Sequence, residues 1–92
     1  MNALRAHAKP RLPRGVRLRF DPVRDTWVLL APERVLFPDT VALAVLEACD
    51  GARALDEIVS ELAGRFEAPH ETIRADVCEL LQELADKGFV EV

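Results

Sequence analysis

The sequence predicts an α+β domain in which a three-stranded antiparallel β-meander precedes a three-helix bundle. Three observations carry this. Apolar residues alternate with charged ones from Val16 to Asp21, the period of a half-buried strand. Two short turns, Asp21-Pro22-Val23-Arg24-Asp25 and Ala31-Pro32-Glu33-Arg34, separate that run from two further apolar runs, and strands joined by short turns pair antiparallel. From Asp39 onward the apolar residues recur at helical spacing. Strands followed by helices, rather than alternating with them, mark an α+β fold.

The first strand sets Val16, Leu18 and Phe20 on one face and Arg17, Arg19 and Asp21 on the other. The second, Thr26 to Ala31, is apolar on both faces, which fits a central strand or one covered on both sides. The third is Val35-Leu36-Phe37, stopped by Pro38. Asp39 is a good N-cap for a helix from Thr40 to about Cys49. Asp50-Gly51 ends that helix, glycine supplying the left-handed conformation that closes it. Leu55, Ile58, Val59, Leu62 and Phe66 form the stripe of a second helix, whose positive N-terminal end Asp56 and Glu57 favour. Pro69 suits the start of a third helix. There Ile73, Val77, Leu80, Leu81 and Leu84 make one stripe, and Lys87-Gly88 closes it. Phe89 to Val92 is an apolar tail expected to pack back on the domain. A three-stranded sheet needs a cover, and the third helix, with the strongest stripe, is the candidate.

The chain has 92 residues, room for one domain. Residues 1–14 contain Pro10 and Pro13 and little apolar patterning, so they are expected to be a disordered basic arm or linker before a folded domain at 15–92. Residues 1–19 carry six basic groups and no acidic one, leaving six basic groups against all 16 acidic groups in the rest. An acidic body repels nucleic acid phosphate and favours a basic or neutral partner. No apolar run approaches the 18 residues of a membrane span, and no apolar stretch follows Arg5 and Lys9 to make a secretory signal. The expected compartment is the cytoplasm, with Cys49 and Cys78 reduced.

Catalytic sets are missing from the sequence. It has no Gly-rich phosphate loop, no G-x-S-x-G and no H-E-x-x-H. His7 and His70 lie in unrelated contexts, so no metal site is expected. Asp76, Glu79 and Glu83 fall along one solvated edge of the third helix rather than forming an acid–base pair. Cys78 has only Arg74 near it in sequence to lower its pKa. The expectation is a binding module without cofactors, not an enzyme. A helix-turn-helix beside a sheet is also the outline of a winged-helix DNA binder. Its recognition helix, residues 70–87, holds five acidic groups against Arg74 and Lys87, and phosphate would repel it. A nucleic-acid role would rest on the basic arm alone.

The remaining surface is a β-edge. An edge strand offers unpaired N–H and C=O groups, and an edge beside the third helix would form a groove that accepts an extended peptide as an added strand. Ladder hydrogen bonds at roughly 1 kcal/mol each and two or three apolar anchors at about 1.5–3 kcal/mol each, less the cost of association, reach micromolar affinity. A monomer is expected, though exposed edges leave a dimer open.

Val28-Leu29-Leu30-Ala31-Pro32-Glu33, Leu46-Glu47-Ala48-Cys49-Asp50-Gly51, Leu55-Asp56-Glu57-Ile58-Val59 with Leu62, and Asp76-Val77 with Leu81, Leu84 and Gly88 together resemble the PqqD family of pyrroloquinoline quinone biosynthesis. The likeness covers about residues 16–92. One departure is Ala54, where a hydroxyl N-cap is expected. The resemblance implies a winged-helix-like fold and a peptide chaperone, a recognition element for ribosomally made, modified peptides. It implies as partners the precursor peptide PqqA and the radical S-adenosylmethionine enzyme PqqE, which would hold the cofactors itself, and PqqC as a fusion or neighbour. The guest peptide would lie between the third strand and third helix. Carried onto this chain, that site is Arg34, Val35, Leu36 and Phe37 with Asp76, Val77, Leu80, Leu81 and Leu84. Residues 1–14 would suit a fusion linker.

Overall fold

The computed structural model of the chain describes residues 5–92. Its elements are β1 (Arg17–Asp21), β2 (Thr26–Ala31), β3 (Arg34–Leu36), α1 (Thr40–Ala48), α2 (Leu55–Arg65) and α3 (His70–Asp86). The strands form one antiparallel sheet in the order β1-β2-β3, so β2 is central, as its two apolar faces require. Phe37 falls just outside β3. Pro38 follows it and has no N–H to give to a ladder.

Alternation sorts the sheet into two faces. Leu18, Leu29 and Leu36 lie in one cross-strand row, and this row faces the core. Leu29 is fully buried there among Ala44, Val45 and Leu46 of α1, Leu55, Ile58, Val59 and Leu62 of α2, and Ile73, Val77, Leu81 and Leu84 of α3. Phe89 and Val90 fold back into the same cluster. The inner face of the sheet therefore joins one core with residues of all three helices and the tail, not of α3 alone.

Local chemistry sets the start of α1 and the ends of α1 and α3 where the sequence places them. Asp39 Oδ1 accepts the Ala42 amide at 2.8 Å, capping α1. Gly51 has φ +77°, and a Cβ there would lie 3.3 Å from the Arg11 Cβ, so both its backbone and its lack of a side chain are needed. Asp50 Oδ1 accepts the amides of Ala52 at 2.9 Å and Arg53 at 3.1 Å. These two bonds hold its carboxyl below the ordinary range. Gly88, at φ +83°, lets the chain turn after α3, and Phe89 N donates to the Leu84 carbonyl at 2.9 Å.

The N-terminal segment departs from the expected arm. Residues 1–4 of that arm lie outside the described residues, but residues 6–12 are laid against the helices. Pro10 is buried, and Leu12 packs on the core. Arg11 exchanges two main-chain bonds of 2.9 Å with Glu91, and its side chain pairs with the Glu91 carboxylate at 2.6 Å. The physical reason lies at α2. Its N-cap, Ala54, has no side-chain acceptor, and the first amides of a helix need one. The Ala8 carbonyl accepts from Leu55 N at 2.7 Å and the Ala6 carbonyl from Asp56 N at 3.1 Å. Glu57 Oε1 accepts from Ala54 N at 2.8 Å. The missing hydroxyl is thus replaced by main chain from the N-terminal strap.

A candidate peptide-binding edge

β3 is an edge strand, and its register decides which of its polar groups are free. Ala31 pairs with Arg34 across the two-residue turn Pro32-Glu33, and Leu29 pairs with Leu36. In an antiparallel ladder closed this way, those two pairs carry the hydrogen bonds and the pair between them does not. The N–H and C=O of Val35 therefore point away from β2, to the open edge. The Val35 side chain lies on the outer face of the sheet and is 55% exposed. Phe37, two residues on, is 51% exposed.

α3 runs past the start of this strand. Arg34 Nη1 donates to the Lys87 carbonyl at 2.6 Å, and its guanidinium carbon sits 5.9 Å from the Phe89 ring centroid. On the other side of α3, Arg74 Nη1 binds Asp56 Oδ1 of α2 at 2.9 Å. The margin with Arg74 and Cys78 is thereby tied to α2. At about 100° per residue, the margin turned away from α2 carries Asp76, Leu80, Glu83 and Lys87. Leu80 is half-buried and packs on the core from α3, as Leu36 does from β3. Asp76 is exposed.

Nine residues were expected to line a groove here, and they divide. Arg34, Val35, Leu36 and Phe37 lie along the open edge, and Asp76 and Leu80 on the free margin of α3. Val77, Leu81 and Leu84 do not line a surface: they are 1%, 0% and 3% exposed, because one helical stripe cannot face the interior and a groove at once. Their role is to hold α3 in place. Sequence reasoning missed the Lys87 carbonyl and Phe89 as the partners of Arg34. No spacing signals such a contact, which spans 53 residues and ends on a main-chain atom.

The thiols and carboxylates form no reactive set around this edge. Cys49 is buried with its Sγ donating to the Val45 carbonyl at 3.2 Å. Burial first, and the charge of Asp50 second, push its pKa up to about 12, so it stays a thiol at neutral pH. Among the described residues, no group of three or more His, Cys, Asp or Glu side chains is placed to hold a metal ion, and no helix is long and apolar enough to cross a membrane.

Comparison with known proteins gives this edge its context. The family model described as coenzyme PQQ synthesis protein D (PqqD) matches residues 26–90. A protein of Rhodopseudomonas palustris (strain BisB5), described as a PqqA binding protein, is 51% identical over 83 residues, covering 90% of this chain and 81% of that one. A protein of Xanthomonas euvesicatoria pv. vesicatoria with the same description is 48% identical over 92 residues, the whole of both chains. The solution NMR structure of the PqqD truncation of Methylobacterium extorquens PqqCD, described as a functional, stand-alone recognition element for ribosomally synthesized and modified peptides, matches with a TM-score of 0.82 at 44% identity. That match covers 99% of this chain and 97% of the other. The crystal structure of PqqD from Xanthomonas campestris matches with a TM-score of 0.61 at 44% identity, over 88% and 90% of the two chains. With the family pattern matched from the second strand to the tail, and its fold reproduced over almost every residue, the chain belongs to the PqqD family.

Proposed function

We propose that this chain is a non-catalytic peptide chaperone of pyrroloquinoline quinone biosynthesis, working in the cytoplasm. It captures the precursor peptide PqqA as a fourth strand on β3 and presents it to the radical S-adenosylmethionine enzyme PqqE. The observation that carries the reading is the register of β3, which turns the Val35 N–H and C=O outward. A guest strand would take its main-chain bonds from Val35 and seat alternate side chains toward Leu36 and Leu80, with Asp76 at the rim. The described activity of the relatives supports the identity of the guest, since they are PqqA binding proteins. The fused context of the Methylobacterium relative supports PqqC as a neighbour in the pathway.

Holding PqqA on a small carrier raises its effective concentration beside the enzyme. Titrating PqqA into the labelled chain should shift the backbone amides of residues 34–37 and those around Asp76 and Leu80. Shifts confined to residues 5–19 would overturn the edge as the site. Repeating the titration with PqqE present should leave those shifts in place while broadening all signals, the mark of a ternary complex.

A further inference from the structure

The outer face of the sheet, opposite the helices, is not the polar surface that an antiparallel sheet turns to water. Its central strand contributes Val28 and Leu30, flanked by Val35 on β3 and by Arg17 and Arg19 on β1. Val28, Leu30, Val35 and Phe37 line a concavity of about 540 Å³, with Arg19 and Arg24 at its edge. Val28 is only 7% exposed, while Val35 and Phe37 are more than half exposed. The Arg24 guanidinium lies 5.2 Å from the Phe37 ring centroid and 3.8 Å from the Asp21 carboxylate. The amides of Val23 and Arg24 donate to its other oxygen, Oδ1, at 3.0 and 3.4 Å. Among the described residues, neither Arg17 nor Arg19 has a carboxylate within ion-pairing distance. The result is an apolar floor bordered by Arg17 and Arg19, which lack a carboxylate partner among the described residues, and by the Arg24–Asp21 pair, on a chain whose acidic groups outnumber its basic ones 16 to 12.

We propose that this face docks an amphipathic helix of a partner protein whose apolar side is bordered by carboxylates. A helix laid on a sheet is the ordinary way to bury such a surface, and the arginine fringe selects its charge. Two copies of this chain meeting face to face would set arginines against arginines, so self-association is disfavoured. An anionic membrane would meet the arginines but also the acidic body, and a flat bilayer does not fill a concavity. The docking face shares Val35 and Phe37 with the edge strand but uses their side chains, whereas the guest peptide bonds the Val35 main chain in the plane of the sheet, so both can be occupied together.

The test uses a synthetic helix of about 18 residues with leucines along one side and glutamates bordering them, titrated into the full-length labelled chain. Amides of Arg19, Val28 and Leu30, away from the β3 edge, should shift. The double variant R17E/R19E should weaken the binding roughly tenfold or more, and the same helix with lysines in place of glutamates should not bind. PqqA titration of R17E/R19E should be unchanged, which verifies the fold and keeps this site distinct from the peptide edge. The proposal is overturned by the absence of shifts at about 1 mM peptide, by shifts on α1 to α3 instead, or by equal binding of the lysine helix. It is equally overturned if the same shifts arise on raising the protein concentration alone, or if anionic phospholipid vesicles bind with the same arginine dependence while the glutamate helix does not.

Discussion

Arg34, the first residue of β3, donates to the main-chain carbonyl of Lys87, the C-cap of α3, at 2.6 Å. One bond thus satisfies a carbonyl that the helix end leaves over and sets the strand against the helix. Arg34→Ala should weaken PqqA binding about three- to tenfold, measured by calorimetry, because the two walls of the site lose their tie. Folding stability should fall by no more than about 1 kcal/mol, since the contact is exposed. Arg34→Lys should restore little, as lysine lacks the planar fork and its reach differs.

Leu80 and Leu81 are neighbours with opposite duties. Leu81 is fully buried, and Leu81→Ala should cost about 2–5 kcal/mol in denaturant unfolding. Leu80 is half-buried on the free margin of α3. Leu80→Ala should cost about 1 kcal/mol of stability but weaken PqqA binding by roughly an order of magnitude. A variant pair with equal effects on both properties would contradict the division of the stripe described above.

The N-terminal strap should be measurable through α2. Removing residues 1–8 deletes the Ala6 and Ala8 carbonyls that accept from Asp56 and Leu55. Stability should drop by about 1–3 kcal/mol, with those two amides exchanging faster. Ala54 already has the extended backbone of an N-cap, so Ala54→Ser should stabilise by about 0.5–1 kcal/mol and offset part of the truncation.

Cys49 should make stability fall at high pH. Its pKa is near 9.0 in the unfolded chain and about 12 when folded. The folded state therefore holds its proton more tightly, and the contribution is complete below pH 9. Above that the unfolded state ionises first, and stability should decline by up to about 1.4 kcal/mol per pH unit until the folded thiol titrates. Chemical denaturation across that window should show the slope, and Cys49→Ala should remove it. Cys78, only partly buried, should react with iodoacetamide in the folded protein while Cys49 does not.

Element order, strand alternation and helix stops were legible in the sequence because each rests on side-chain chemistry. The alternation of Val16, Leu18 and Phe20, the Asp39 cap and the Gly51 stop all work through the residue type itself. The strap was not legible, because its bonds come from the carbonyls of Ala6, Ala8 and Pro10, which any residue could supply. The same limit hid the tie between Arg34 and Lys87. At the candidate site the edge strand was legible from its length and turns. Which leucines of α3 face inward was not: the stripe of Ile73, Val77, Leu80, Leu81 and Leu84 spans more than one wall, and only the pairing of Arg74 with Asp56 shows which margin is tied to α2. The double apolar face of β2 was readable, but not that one side of it stays open.

Amide hydrogen exchange at Val35, followed with and without PqqA, tests the strand-addition account most directly. In the free chain the Val35 N–H should exchange quickly, whereas Leu36, bonded to β2, should be protected. Saturating PqqA should protect Val35 strongly. Val35→Pro, which removes that donor where an edge strand tolerates proline, should abolish binding while circular dichroism stays native. A Val35 amide that exchanges as fast in the complex as in the free chain, or a proline variant that binds PqqA undiminished, would show that the peptide does not pair with β3.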